Sequence, residues 1–118
     1  MGKGQTIGSE AYLAQQLEWE DITDLCTFNS SLNYDIKKVL HRKGEVFLCM
    51  VCVGVPNNTD TTIVTLPSNI KILESVRFAG IGGASSLAWV NGAGNFIRVH
   101  GASTASWCSV NGIIPVNE

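Results

Sequence analysis

The feature that most constrains the fold is an unbroken run of apolar residues at positions 46–53, with the sequence VFLCMVCV. The run is rich in residues that favour strands, and it is far shorter than the ~20 residues of a membrane-spanning helix. Because a strand directs alternate side chains to opposite faces, this strand is apolar on both faces. We expect its own core to cover one face and a neighbouring subunit to cover the other. A loop or an N-terminal helix of the same chain is the alternative cover.

Short strands separated by tight turns fill the chain beyond residue 19. Segments rich in valine, isoleucine and threonine alternate with turn sequences such as PNNTD at residues 56–60 and NGAG at residues 91–94. No helical pattern lies between these segments, so the helices that parallel crossovers need are missing. The pattern predicts an all-β fold, either an antiparallel β-barrel or a β-sandwich. The predicted strands are residues 35–41, 45–53, 61–66, 76–80, 86–90, 95–99 and 107–114.

The N-terminal segment differs from the rest in its periodicity. Ser9 is a suitable N-cap, and Tyr12, Leu13 and Leu17 follow at helical spacing, which predicts one short helix over residues 9–17. A chain of 118 residues is the length of a single domain. We therefore expect a lead-in with a short helix at residues 1–18 and a β head domain at residues 19–118.

Charge and hydropathy exclude several classes of partner. Eight Lys and Arg residues against ten Asp and Glu residues give a formal net charge of -2, so the chain has no positive surface of the kind that binds a phosphate backbone. The first twenty residues lack the apolar core of a signal peptide. We expect no nucleic-acid binding, no membrane insertion and no secretion signal.

The four cysteines do not have the pattern of a metal site. Cys49 and Cys52 have the C-x-x-C spacing of zinc ligands, but they lie within the predicted strand, where residues three apart face opposite sides. No second pair at similar spacing accompanies them. We expect no metal and no cofactor, and we interpret all four as packed free thiols of a protein that folds in a reducing cytosol: Cys26, Cys49, Cys52 and Cys108.

The sequence also lacks the motifs of common enzymes. No G-x-S-x-G, H-E-x-x-H, P-loop or dinucleotide-binding fingerprint occurs. His41 lies in a basic cluster at residues 37–43, where a solvated strand end is expected rather than a general base. The acidic residues that crowd the N-terminal part have no pattern of a catalytic pair: Glu18, Glu20, Asp21 and Asp24. We expect a non-enzymatic protein.

A binding role fits the residues of the predicted C-terminal hairpins better. Phe96, Arg98 and His100 should share one face of a strand, with Ile97 and Val99 on the other. Aromatic rings cover the apolar faces of sugars, while amide, guanidinium and imidazole groups bond hydroxyls or a linked phosphate. For the two tryptophans of this region, core packing is the competing interpretation. The candidate ligand-binding residues are Trp89, Asn91, Arg98, His100 and Trp107.

Five segments, taken in order, resemble the C-terminal head domains of receptor-binding proteins at the tail fibre tips and baseplates of tailed bacteriophages, particularly those that infect Gram-positive bacteria. They are an opening WEDIT, a polar turn, a hairpin LHRKGEVFL, a VTLP step and a closing WCSVNGIIP, at residues 19–23, 29–33, 40–48, 64–67 and 107–115. The chain departs from that pattern at residues 70–72, where those heads often carry a proline. Its polar turn also contains less glycine.

The resemblance implies an antiparallel barrel or sandwich that assembles as a homotrimer on the virion tail. It further implies attachment to a host cell-surface saccharide, contacts with other phage tail proteins, and synthesis in the host cytoplasm. It transfers no individual binding residue, because these vary with the host. The alternative is a structural baseplate, fibre or decoration subunit, in which Arg98 and His100 would be buried in subunit contacts. A third hypothesis, a depolymerising enzyme fragment, requires a pair of acids that the sequence does not show.

Overall fold

The computed structural model describes residues 18–73, 76–82, 87–103 and 106–117, with the backbone alone for residues 76–82 and 87–93. A 3₁₀ helix, Thr23–Leu25, follows the first strand. The strands are β1 Glu20–Asp21, β2 Thr27–Phe28, β3 Asn33–Arg42, β4 Glu45–Val53, β5 Asp60–Thr65, β6 Lys71–Ile72, β7 Val76–Gly82, β8 Leu87–Ala93, β9 Phe96–His100 and β10 Trp107–Asn117. The seven predicted strands are present, β4 with the predicted ends and the others with shifted ends. The two-residue strands β1, β2 and β6 were not predicted.

All the described strand pairs are antiparallel, which confirms the all-β prediction. The sheet order is β1-β3-β4-β10-β7-β8-β9-β5-β2, with β6 paired to β10. We call β1-β3-β4-β10 the first arm and β7-β8-β9-β5-β2 the second arm. Within the described residues no pairing joins β1 to β2, so the barrel alternative is wrong. Each of these two end strands has only two residues, too few to close the sheet with a continuous ladder.

Both arms contribute to a single hydrophobic core. Leu48 and Met50 from the first arm and Ile63 and Ile97 from the second are fully buried members of one cluster. The sheet therefore folds back over itself, with its apolar residues enclosed between the arms. On β4 the burial alternates strictly between buried and half-buried residues, so its second face is partly accessible. A neighbouring subunit on that face stays a prediction.

A β-bulge at Ile63 changes the direction of the side chains along β5. The register passes from Thr62 opposite Arg98 to Val64 opposite Ile97, so Ile63 is the extra residue. As a result Ile63 and Val64 are both fully buried, whereas the threonines on either side of them are half-buried.

A tyrosine hydroxyl on the first arm forms a hydrogen bond with the bulge on the second arm. Tyr34 on β3 donates a hydrogen bond of 2.6 Å from its hydroxyl to the backbone carbonyl of Ile63. The same hydroxyl accepts a bond of 3.1 Å from the backbone N–H of Asn29. One phenol thus satisfies two backbone groups, one of them on the bulge.

The predicted helix over residues 9–17 lies outside the described residues. All four cysteines lie in the described part of the chain as free thiols, of which Cys52 and Cys108 are buried and Cys26 and Cys49 are half-buried. Cys52 is buried on the core side of β4 and faces Cys108 on β10, whereas Cys49 is half-buried on the other side. Burial raises the pKa of Cys52 to about 12 and that of Cys108 to about 11.

Candidate functional site

The predicted alternation on β9 is confirmed. Ile97 and Val99 are fully buried, and Phe96, Arg98 and His100 are half-buried on the opposite face. Because directly opposed residues of an antiparallel pair share a face, the register with β5 extends this face to a second strand. We call it the β5–β9 face, and its residues are Asp60, Thr62, Thr65, Phe96, Arg98 and His100.

Arg98 lies at the centre of the β5–β9 face. Its guanidinium carbon is 5.3 Å from the centroid of the Phe96 ring, within the range of a cation–π contact. No carboxylate in the described part of the chain forms an ion pair with it. The ring orients the guanidinium, whose planar set of N–H donors suits a hydroxyl, carboxylate or phosphate ligand.

His100 is held at the end of the same face by a carboxylate. Its Nδ1 lies 2.8 Å from Oδ1 of Asp60, which faces it across the two strands. Two backbone hydrogen bonds at Gly101 fix the loop before Asp60 to the end of β9. The N–H of Gly101 donates to the carbonyl of Thr59 at 3.0 Å, and the carbonyl of Gly101 accepts from the N–H of Asn58 at 3.2 Å. The position of Asp60 therefore depends on this loop, and so does the orientation of the imidazole.

A shallow cleft of about 160 Å³ borders the β5–β9 face, where β2 pairs with β5. Its lining surface is mostly apolar and consists of Thr27, Phe28, Asn29, Thr62 and Thr65. Thr62 and Thr65 belong to both the cleft and the β5–β9 face, because the bulge between them returns both to the same side. The cleft and the guanidinium thus form one continuous surface.

The wall of the cleft is rigidly held. The Asn29 amide donates a bond of 2.9 Å to the carbonyl of Thr62, and its oxygen accepts bonds from the N–H and hydroxyl of Ser31. Phe28 packs edge-on against Tyr34 with ring centroids 5.3 Å apart, and the Lys37 ammonium lies 4.6 Å from the centroid of the Phe28 ring. A second cation stacked on a ring therefore lies next to the cleft.

The structure brings together only part of the predicted site. Arg98 and His100 share the β5–β9 face, and Asn91 pairs with Arg98 in the backbone register of β8 and β9. The side chains of Trp89 and Asn91 lie outside the described part. Trp107 is 40% exposed at the start of β10, opposite Val53, and β7 and β8 separate β10 from β9 in the order of the sheet. Core packing of Trp107 is thereby excluded.

Sequence reasoning missed the threonine-lined cleft. Its residues come from segments far apart in the chain, and only the pairing of β2 with β5 brings them together. The one available signal was the density of threonine and asparagine at residues 27–33 and 59–65.

The part that the structure describes contains no helix with the length and hydrophobicity of a transmembrane segment. Within the same residues no group of three or more His, Cys, Asp or Glu side chains is placed to hold a metal ion. No protein family model, curated protein or solved structure matches this chain.

Proposed function

We propose that this chain is a non-enzymatic attachment domain that binds a cell-surface saccharide through the β5–β9 face and its cleft. The observation that carries the proposal is the continuity of this surface, in which a guanidinium in cation–π contact with a ring lies beside a mostly apolar cleft lined by three threonines. We further propose that the domain is the head of a tail fibre or baseplate receptor-binding protein on a phage virion. The order of its sequence motifs supports that setting.

The chemistry of the surface suits a sugar. The Phe96 and Phe28 rings offer apolar surface for the carbon face of a pyranose, and the threonine hydroxyls both donate and accept hydrogen bonds. Arg98 adds charge-assisted donors for a carboxylate or phosphate on the saccharide. A cleft of about 160 Å³ is smaller than typical drug-sized pockets, so it accommodates part of a sugar unit rather than a deeply buried ligand.

A shallow site of this kind binds weakly on its own. Attachment then depends on several copies acting together, because linking sites increases the overall affinity by roughly 10² to 10⁴. Binding by a multivalent preparation should therefore greatly exceed binding by the isolated domain.

The proposal is tested by binding of the fluorescently labelled domain, displayed on a multivalent carrier, to a panel of Gram-positive strains. We expect selective binding to some strains and competition by their purified cell-wall polysaccharide. Arg98→Ala should reduce binding about tenfold or more, because it removes a charge-assisted contact. Lys43→Ala removes an exposed cation from the β3–β4 turn and serves as the matched control, which should bind as the parent does.

Two results would overturn the proposal. One is full binding by Arg98→Ala to the strains that the parent recognises. The other is failure of the folded parent to bind any strain in multivalent form, which would favour a structural role in the tail. That second candidate has its own support, the accessible apolar face of the first arm, where Ile36, Trp107 and Ile113 are 49%, 40% and 50% exposed.

A further inference from the structure

The cleft beside the β5–β9 face is flanked by two cations. On one side, the Arg98 guanidinium lies 5.3 Å from the centroid of the Phe96 ring. On the other side, the Lys37 ammonium lies 4.6 Å from the centroid of the Phe28 ring, which lines the cleft. Neither cation forms an ion pair with a carboxylate in the part of the chain that the structure describes. Both charges can therefore interact with a ligand.

The order of the strands places the cleft between these two cations. Arg98 is directly opposite Thr62 in the register of β9 with β5, and Thr62 lines the cleft. The guanidinium lies beside Phe96, which is opposite a second lining residue, Thr65. On the far side of the cleft, β2 is the end strand of the second arm, and Lys37 reaches it from β3 on the first arm. A ligand in the cleft thus has a cation on each side.

Other cations of β3 differ from Lys37 because acids of the same chain neutralise them. Lys38 forms an ion pair of 2.9 Å with Asp21, and Arg42 forms one of 2.7 Å with Glu45. The ring under Lys37 attracts the ammonium but leaves its positive charge intact. The ring also restricts this long side chain, so less conformational entropy is lost when the ammonium contacts a ligand.

The cleft itself adds no negative charge. Its five described lining residues are threonine, phenylalanine and asparagine, none of which is acidic. The one acidic residue of the β5–β9 face, Asp60, lies 2.8 Å from Nδ1 of His100. The formal net charge of -2 does not prevent a positive potential here, because the potential inside a cleft depends on the charges nearest to it. The local charge favours an anionic ligand.

We propose that the ligand of this surface is an acidic sugar, with its ring in the cleft and its carboxylate or phosphate group held by Arg98 and Lys37. This inference rests on the proposed saccharide binding and adds the chemical class of the sugar. The guanidinium donates to two oxygens of the acidic group, and the ammonium adds a second positive charge from the first arm. The apolar surface of the cleft covers the carbon face of the ring.

Nuclear magnetic resonance titration of the full ¹⁵N-labelled chain tests the proposal with four probes: glucose, glucuronate, glucose 1-phosphate and inorganic phosphate. We expect at least one of the two acidic sugars to shift the amides of Phe28, Thr62 and Arg98 at a concentration about tenfold lower than glucose does. The acidic sugar that binds more tightly identifies the group as carboxylate or phosphate. Inorganic phosphate should bind more weakly than glucose 1-phosphate, because it has no ring to occupy the cleft.

Lys37→Gln tests the second cation with a side chain that keeps its polarity but loses its charge. It should weaken binding of the preferred acidic sugar about threefold and leave glucose binding unchanged, and Lys37→Arg should restore most of the loss. Lys43→Gln removes the same charge from the exposed β3–β4 turn and is the matched control, which should bind as the parent does. Urea unfolding should show equal stability in all three variants.

Failure of this proposal is distinguishable from failure of saccharide binding. A chain that binds a neutral cell-wall polysaccharide, but shows no preference for either acidic sugar over glucose, would overturn the acidic ligand alone. Equal losses in Lys37→Gln and Lys43→Gln would overturn the role of Lys37. Inorganic phosphate that binds as tightly as glucose 1-phosphate would overturn the acidic sugar, because the ring would then contribute nothing. Binding of no carbohydrate, neutral or acidic, would overturn both proposals.

Discussion

The exposed carboxylate of Asp21 accepts three hydrogen bonds. Thr23 donates to it from both its N–H and its hydroxyl, at 3.0 and 2.6 Å, and Lys38 donates at 2.9 Å. These bonds, the Thr23 hydroxyl first, hold the pKa of Asp21 well below its usual value of 3.8. Thr23 in turn accepts a bond from the N–H of Val39, so this network joins the first strand to β3.

Asp21→Asn should lower the stability of the protein at neutral pH. Because the pKa of Asp21 is lower in the folded chain than in the unfolded chain, its contribution is present above pH 3.8 and is lost as the pH falls further. Urea denaturation should show a difference between parent and variant at pH 7 that shrinks below pH 4. Asp24→Asn, which removes a carboxylate that no described hydrogen bond holds, is the control. A difference that is independent of pH would contradict this account.

Tyr34→Phe tests the hydroxyl that joins β3 to the bulge. The variant keeps the ring packed against Phe28 but leaves the Ile63 carbonyl and the Asn29 N–H without this partner. The loss should be about 1–2 kcal/mol in the free energy of unfolding, measured by urea titration. Thr59→Ala removes an exposed hydroxyl bond to Asn57 and should change stability by less than about 0.5 kcal/mol. Equal losses in the two variants would show that the bridge is unimportant.

At the scale of strands, period-two patterns were predictable and irregularities were not. The run at residues 45–53 and the alternation on β9 follow directly from side-chain geometry, and both are found. The bulge at Ile63 reverses the pattern within β5, and nothing in its run of Thr, Ile and Val residues indicates where the extra residue falls. Strands of two residues such as β1 and β2 depend on tertiary hydrogen bonds, which a local pattern does not record.

The close packing of β9 against the loop at residues 56–60 predicts that a side chain at Gly101 destabilises the fold. A Cβ atom at Gly101 would collide with the backbone carbonyl of Pro56, which has no flexible side chain to move aside. Gly101→Ala should therefore destabilise the fold by more than about 2 kcal/mol and displace Asp60 from His100. Gly44→Ala is the matched control, because Gly44 has a positive φ of 85° but open space around it, so its cost should be about 1 kcal/mol.

Thermal or urea unfolding of the two glycine variants measures the loss of stability that each substitution causes. Saccharide binding of any Gly101→Ala protein that still folds should also be weaker, since the β5–β9 face loses its fixed end. Equal stability of the two variants would mean that the loop moves away at little cost.

At the scale of the whole molecule, the two arms of the sheet present different surfaces. The second arm carries the polar and aromatic β5–β9 face, and the first arm carries exposed apolar residues on the side of β3, β4 and β10 that points away from the core. The sequence predicted the residues that β9 contributes to the first surface and the apolar second side of β4, but not the contribution of β5. It grouped Trp107 with Arg98 because they are close in the chain, but the sheet order places β10 beside β4 and β7. Long-range strand pairing decides which residues meet, and it is not encoded in local spacing.

The measurement that tests the central claim most directly is a nuclear magnetic resonance titration of the ¹⁵N-labelled chain with cell-wall polysaccharide fragments from a strain that it binds. The account predicts that the largest shifts of backbone amides occur at Thr62, Thr65, Phe96 and Arg98, with little change along β4 on the first arm. Shifts concentrated at Phe47, Val51 and Ile113, or no shifts at saturating fragment, would contradict it.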